Sequence, residues 1–108
     1  MDNLKKLKLE YEGIRKTILD YTSEGNIVNF LDGLKKQIDI KDIEATVYYI
    51  NEICVWYEKN ISQIHENEFV VDPSEHDRNK NLLEEILAKL KMERRIEKEE
   101  KKMYSKIF

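Results

Sequence analysis

One cysteine, one proline and three glycines among 108 residues set the first limits. With Cys54 alone, no disulfide can close within the chain and no thiolate cluster can hold a metal, and a reducing cytoplasm fits best; no Gly-rich phosphate loop can be traced either, and no cofactor is expected. So little proline and glycine leaves too few tight turns for a sandwich or barrel of many strands. Apolar runs are short: none approaches the roughly 18 residues of a membrane span, and the opening MDNLKKLKLEYEG lacks the apolar core of a secretory signal. Neither export by that route nor a membrane partner is expected. An excess of one charge is missing too. Charged residues make up 38% of the chain with a net charge of only -3, which argues against nucleic-acid affinity over the whole surface and leaves room for a local patch. Alanine occurs only at Ala45 and Ala88, while lysine outnumbers arginine and isoleucine and asparagine abound. That bias suits an AT-rich bacterial or phage genome and says nothing of function.

What is present is helical period. Leu4, Leu7, Tyr11, Ile14, Ile18 and Tyr21 alternate steps of three and four, the seam of a helix with one buried stripe. Gly25 then offers a left-handed end. Ile27, Leu31, Leu34 and Ile38 fit a second helix, short or bent because Gly33 inside it costs about 1 kcal/mol relative to alanine. In DIKD, Asp39 and Asp42 read as the start of a third helix, one accepting from free backbone N–H groups and the other placed near the positive end of the dipole.

The strongest pattern is Ile43, Val47, Ile50, Cys54, Tyr57, Ile61 and Ile64. TVYYINEICVWY, residues 46–57, is rich in strand-favouring side chains, yet adjacent apolar residues at 47–50 and adjacent polar ones at Asn51 and Glu52 break a two-residue period. The spacing predicts the middle of a long helix. Phe69, Val70 and Val71 follow as a short extended apolar plug. Asp72, Pro73 and Glu75 then make a helix start, with Asp72 as cap, Pro73 at the first position and Glu75 placed for a return bond. The last helix carries Leu82, Leu83, Ile86, Leu87 and Leu90 on one side and turns strongly charged past Met92.

The expected fold is all-α: a four-helix, mostly antiparallel bundle over about 3–22, 26–38, 40–66 and 73–105, with a short second helix and a long charged C-terminal one. Residues 1–108 form a single helical domain in this reading, with 91–108 overhanging the bundle or partly disordered.

The third helix has more apolar surface than one face needs. Tyr49 and Trp56 flank the main seam and read either as core or as contact residues, while Tyr48 and Val55, seven residues apart, stack on the polar side. Contact centres favour tyrosine and tryptophan. The candidate partner-binding residues are therefore Tyr48, Tyr49, Val55 and Trp56, with Met103, Tyr104, Ile107 and Phe108 at the tip of the overhang as a second docking point. The partner is expected to be another protein or a second copy of the chain, and the function non-enzymatic: a small regulator, inhibitor or adaptor.

Two other classes have weaker support. Lys89 to Lys106 carries a basic surplus that could lie against phosphates, but interleaved glutamates dilute it and no aromatic alternates with the bases. A metal-dependent hydrolase would need acidic pairs such as Asp39 with Asp42 and Asp72 with Glu75 in one pocket, yet a helix of some 25 residues, close to 40 Å long, separates them. His65 and His76 flank one connection among acidic residues, without the spacing that places two imidazoles on one helical face. No metal ligand is assigned. Cys54 falls on the buried seam, where it serves as a small apolar residue rather than a nucleophile.

Overall fold

A computed structural model describes residues 2–107, except for the side chains of 97, 98 and 100–107. Four helices follow one another: α1 (Asn3–Tyr21), α2 (Gly25–Ile40), α3 (Ile43–Glu66) and α4 (Pro73–Ile107). The expected all-α bundle is observed, and α2 is its shortest member. Each helix packs against its neighbours in chain order, and α4 returns against α1 to close a ring.

Cross-helix pairs fix the directions. On α3 and α4, Glu44 meets Arg94 at one end and His65 meets Asp77 at the other. Between α1 and α4, the Asn3 amide donates to Glu93 at 2.5 Å, and Lys6 lies 4.0 Å from Glu85. Gly33 of α2 lies against Tyr49 of α3, and Glu24 against Trp56. All three pairings run antiparallel. Inside the ring, the seams read from the sequence meet as one core, with Leu7, Ile18, Ile27, Leu31, Ile50, Ile53, Tyr57, Ile64, Leu83, Ile86 and Leu90 wholly buried. Tyr11 spans α1 and α2 by donating its hydroxyl to the Leu31 carbonyl at 2.6 Å.

Local chemistry explains the boundaries and corrects two of the expected ones. Asp2 caps α1 by accepting from the Leu4 N–H at 2.9 Å. Gly25 does not end α1 in a left-handed turn: Thr22 leaves the helix in extended backbone, and Gly25 opens α2. The left-handed residue is instead Lys41, at φ 59°. There the Lys41 N–H bonds to Ile38 and the Asp42 N–H to Gln37, the paired closure that satisfies the last carbonyls of a helix. Asp39 therefore lies in the last turn of α2 and does not cap α3. Asp42 does, accepting from the Ala45 N–H at 3.1 Å, so two residues suffice to connect the helices. Asp72 caps α4 as expected, its Oδ1 accepting from the Ser74 N–H at 3.1 Å. The Glu75 carboxylate lies 4.0 Å from Arg78.

Gly33 has a packing reason. The Tyr49 ring crosses α2 there so closely that a Cβ on residue 33 would stand 2.5 Å from Tyr49 Cε1, far inside van der Waals contact. The chain gives up about 1 kcal/mol of helix propensity at this position and gains the approach of an aromatic ring to bare backbone.

Two stability measurements follow from these features. Lys41→Gly removes the left-handed penalty of a side chain and is expected to raise stability by about 0.5–1 kcal/mol in urea unfolding. Gly33→Ala is expected to destabilise the wild-type chain by about 1 kcal/mol through overpacking, yet to stabilise a Tyr49→Ala background by up to about 1 kcal/mol. An equal effect in both backgrounds would show that the ring does not set the cost.

Candidate functional site

The structure divides the residues proposed for partner binding. Trp56, on the side of α3 that faces the α1–α2 connection, is 8% exposed. Its ring meets Tyr21 and Tyr57 edge-on, and its indole N–H points to Glu24 Oε2 at 3.5 Å. Tyr49, one helical repeat earlier on the same side, is half-buried over Gly33. Trp56 is core, and Tyr49 packs against it.

Tyr48 and Val55 lie elsewhere. Tyr48 is 56% exposed and touches Tyr49 edge-on, while Val55 is half-buried two turns on. At about 100° per residue, both fall on the line opposite Ile50 and Tyr57, between the polar residues Glu44, Asn51, Glu52 and Lys59. Ile40, exposed at the end of α2, lies at the same end of the bundle as Tyr48. The side chains of Met103, Tyr104 and Ile107, and Phe108 as a whole, lie outside the described residues. In backbone, α4 continues as helix to Ile107. Because Arg94 is level with Glu44 near the start of α3, the last 13 or so residues of α4 project about 20 Å beyond the bundle.

At the opposite end is a feature the sequence reading did not assemble. The Asn67–Val70 turn is closed by Val70 N–H on the Asn67 carbonyl and by Phe69 N–H on Asn67 Oδ1. It sends only Val70 against the core. Phe69 and Val71, expected to plug the bundle, stand 85% and 98% exposed. Beneath them a cavity of about 420 Å³ opens between the end of α1 and the start of α4, with Asp20, Tyr21, Asp72, Glu75 and His76 in its wall.

His76 is buried, 3% exposed, with Nδ1 at 3.1 Å from the Tyr57 hydroxyl. Tyr21 and Tyr57 both meet its ring edge-on. Burial lowers its pKa below 6.5; Glu75, Asp77 and Asp72 oppose that shift and His65 adds to it. Burial also raises the Tyr57 pKa, which the neighbouring Asn79 amide partly offsets. Even so, Asn79 Nδ2 has no well-formed partner among the described residues. Assigning the tyrosine hydroxyl as donor to Nδ1 places the ring proton of a neutral His76 on Nε2.

His65 does not join this site. It turns outward to Asp77 at 2.8 Å, so the two histidines serve different carboxylate and phenol partners. Cys54 is buried beside α4, and burial pushes its thiol up to about 12, far from the thiolate a nucleophile requires. In the described part of the basic stretch, Lys89 pairs with Glu85, Arg94 approaches Glu44 and Arg95 lies 3.6 Å from Glu99.

The sequence carried a signal for the buried polar pair. Counting back from Leu83 by four and three reaches Asn79 and His76, so the seam of α4 continues through two polar side chains that an apolar pattern passes over.

Comparison with known proteins gives one informative likeness. The chain is 37% identical over 90 residues to the uncharacterized protein YddK of Bacillus subtilis (strain 168), an alignment that takes in 83% of this chain and 34% of that protein. The chain thus spans about a third of the length of the relative it matches. No family model matches the chain, and no solved structure does.

The depressed His76 pKa has a stability consequence. The unfolded chain binds the proton more readily, so stability is complete above about pH 6.5 and falls as pH drops toward the folded-state pKa. Urea midpoints between pH 7.5 and 5.5 are expected to decline for the wild type. His76→Gln should flatten that part of the profile, and an unchanged slope would place its origin elsewhere.

Proposed function

We propose that this bundle is a non-enzymatic protein-binding module that engages its partner through the outward face of α3. The observation that carries the reading is Tyr48, more than half exposed on the line opposite the core and backed by Val55 on the same line. α3 already packs against α2 on one side and α4 on the other, so these two side chains are not needed to hold it in place. A tyrosine next to an aliphatic residue, ringed by charge, has the composition of a contact centre with a polar rim. The similarity to about a third of a longer protein is consistent with a module that works beside other chain segments.

Nucleic-acid binding through α4 has less support, since three of the four described basic residues from Lys89 to Arg95, namely Lys89, Arg94 and Arg95, already lie against carboxylates. Hydrolysis on paired carboxylates has less still, because the whole length of α3 separates Asp42 from Asp72 and Glu75.

The test is site-specific. A photo-crosslinking residue at position 48 is expected to yield one discrete adduct in the cell of origin, either with another protein or with a second copy. The same residue at exposed Lys36 on α2 should not. Tyr48→Ser with Val55→Ser should abolish the association while changing unfolding free energy by less than about 1 kcal/mol. Equal labelling from both positions, or association that survives the double change, would overturn the reading.

A further inference from the structure

The end of the bundle away from the α4 projection presents a second surface, chemically unlike the α3 face. Phe69 and Val71 are more exposed than any other large apolar side chain among the described residues. The Asn67-centred turn holds them there, and Val70 anchors it in the core. Two exposed apolar groups side by side on an anchored turn offer a small apolar patch for a contact to cover.

The cavity they overhang has an acidic wall. Asp20, Asp72 and Glu75 line it, and no lysine or arginine does. Around it, Glu66 and Glu68 belong to the same end of the bundle. Two of the lining carboxylates have exposed partners within the chain, Lys16 on Asp20 at 2.7 Å and Arg78 near Glu75 at 4.0 Å; exposed pairs of this kind hold weakly and exchange for an incoming cation, and the carboxylates of this end outnumber the two cations. Tyr21, Phe69 and His76 supply ring surface in the same wall, and aromatic faces add attraction for an ammonium or guanidinium group. His76 contributes one more feature. With Nδ1 bonded to Tyr57, Nε2 forms no hydrogen bond among the described residues and remains a donor for an incoming acceptor such as a peptide carbonyl.

An isolated amine would meet the acidic surplus and leave Phe69 and Val71 in water. A peptide segment answers all three demands at once, with a basic side chain for the cavity, apolar neighbours for the two shoulders and a backbone carbonyl for His76. We infer that this cleft receives a lysine or arginine side chain from a partner's peptide segment, with Phe69 and Val71 gripping the apolar residues on either side of it.

The probe is the peptide acetyl-Leu-Lys-Leu-Arg-Leu-amide, titrated into the nitrogen-15-labelled protein, with acetyl-Leu-Glu-Leu-Glu-Leu-amide as its charge-reversed counterpart. The basic peptide is expected to shift backbone amides over residues 67–76 and around Tyr21, with binding that weakens as salt is added. The acidic peptide should leave them unmoved. Phe69→Ser with Val71→Ser removes exposed groups only, so the fold is retained, and dissociation is expected to become about tenfold easier. Asp20→Asn with Glu75→Gln should give a comparable loss and reduce the salt dependence. Tyr48→Ser with Val55→Ser should bind the peptide as the wild type does, so failure of the α3 reading and failure of this one are separable. Shifts centred outside residues 67–76 and Tyr21, equal binding of the acidic peptide, or indifference to both pairs of cleft substitutions would overturn the inference.

Discussion

The arc of α3 that runs from Trp56 round to Val47 is the surface on which the rest of the protein is assembled. Trp56 and Tyr49 turn toward the start and middle of α2, Ile50, Ile53, Tyr57 and Ile64 face the centre, and Val47 and Cys54 turn toward α4. Each fully buried side chain of this size contributes about 1.5–3 kcal/mol through lost contact with water, so one helix organises both neighbours. α1 then covers the remaining opening between α2 and α4. The Tyr49 ring sets how near α2 can come, and the bare backbone of Gly33 is its counterpart.

That arrangement explains which parts were legible. Three-four spacing in α1, α2 and α3 identified the buried stripes, because a helix with one dry face has few ways to distribute its apolar side chains. Boundaries between α2 and α3 were harder to read. Asp39 and Asp42 both have cap chemistry, and only the closure at Lys41 decides between them. The same limit applied to the candidate site. On a helical wheel Trp56 and Tyr49 lie beside the seam, where burial depends on how close the neighbouring helix comes. Tyr48 and Val55 lie opposite the seam, outside the core that the neighbouring helices form with α3.

The cleft at the other end depended on information a periodic pattern does not hold. Phe69, Val70 and Val71 are three adjacent apolar residues in a loop, and their fates are set by one turn that aims the middle one inward. His76 and Asn79 occupy seam positions without apolar side chains. Together with Tyr57 they put a polar cluster inside the upper core, where each group depends on its neighbours for hydrogen bonding. The result is a molecule with two unlike ends: an acidic, aromatic cleft beside the turn, and a projecting helix at the other.

α4 is common to both ends. It contributes Glu75 and His76 to the cleft in its first turn and continues unbroken to Ile107, a rod of about 50 Å. Pivoted near its middle against α3, such a rod would turn a tilt of about 5° into a sweep of about 2 Å at each end. One rigid helix thus joins the cleft at its first turn to the projecting segment at its far end, so that neither can tilt without the other.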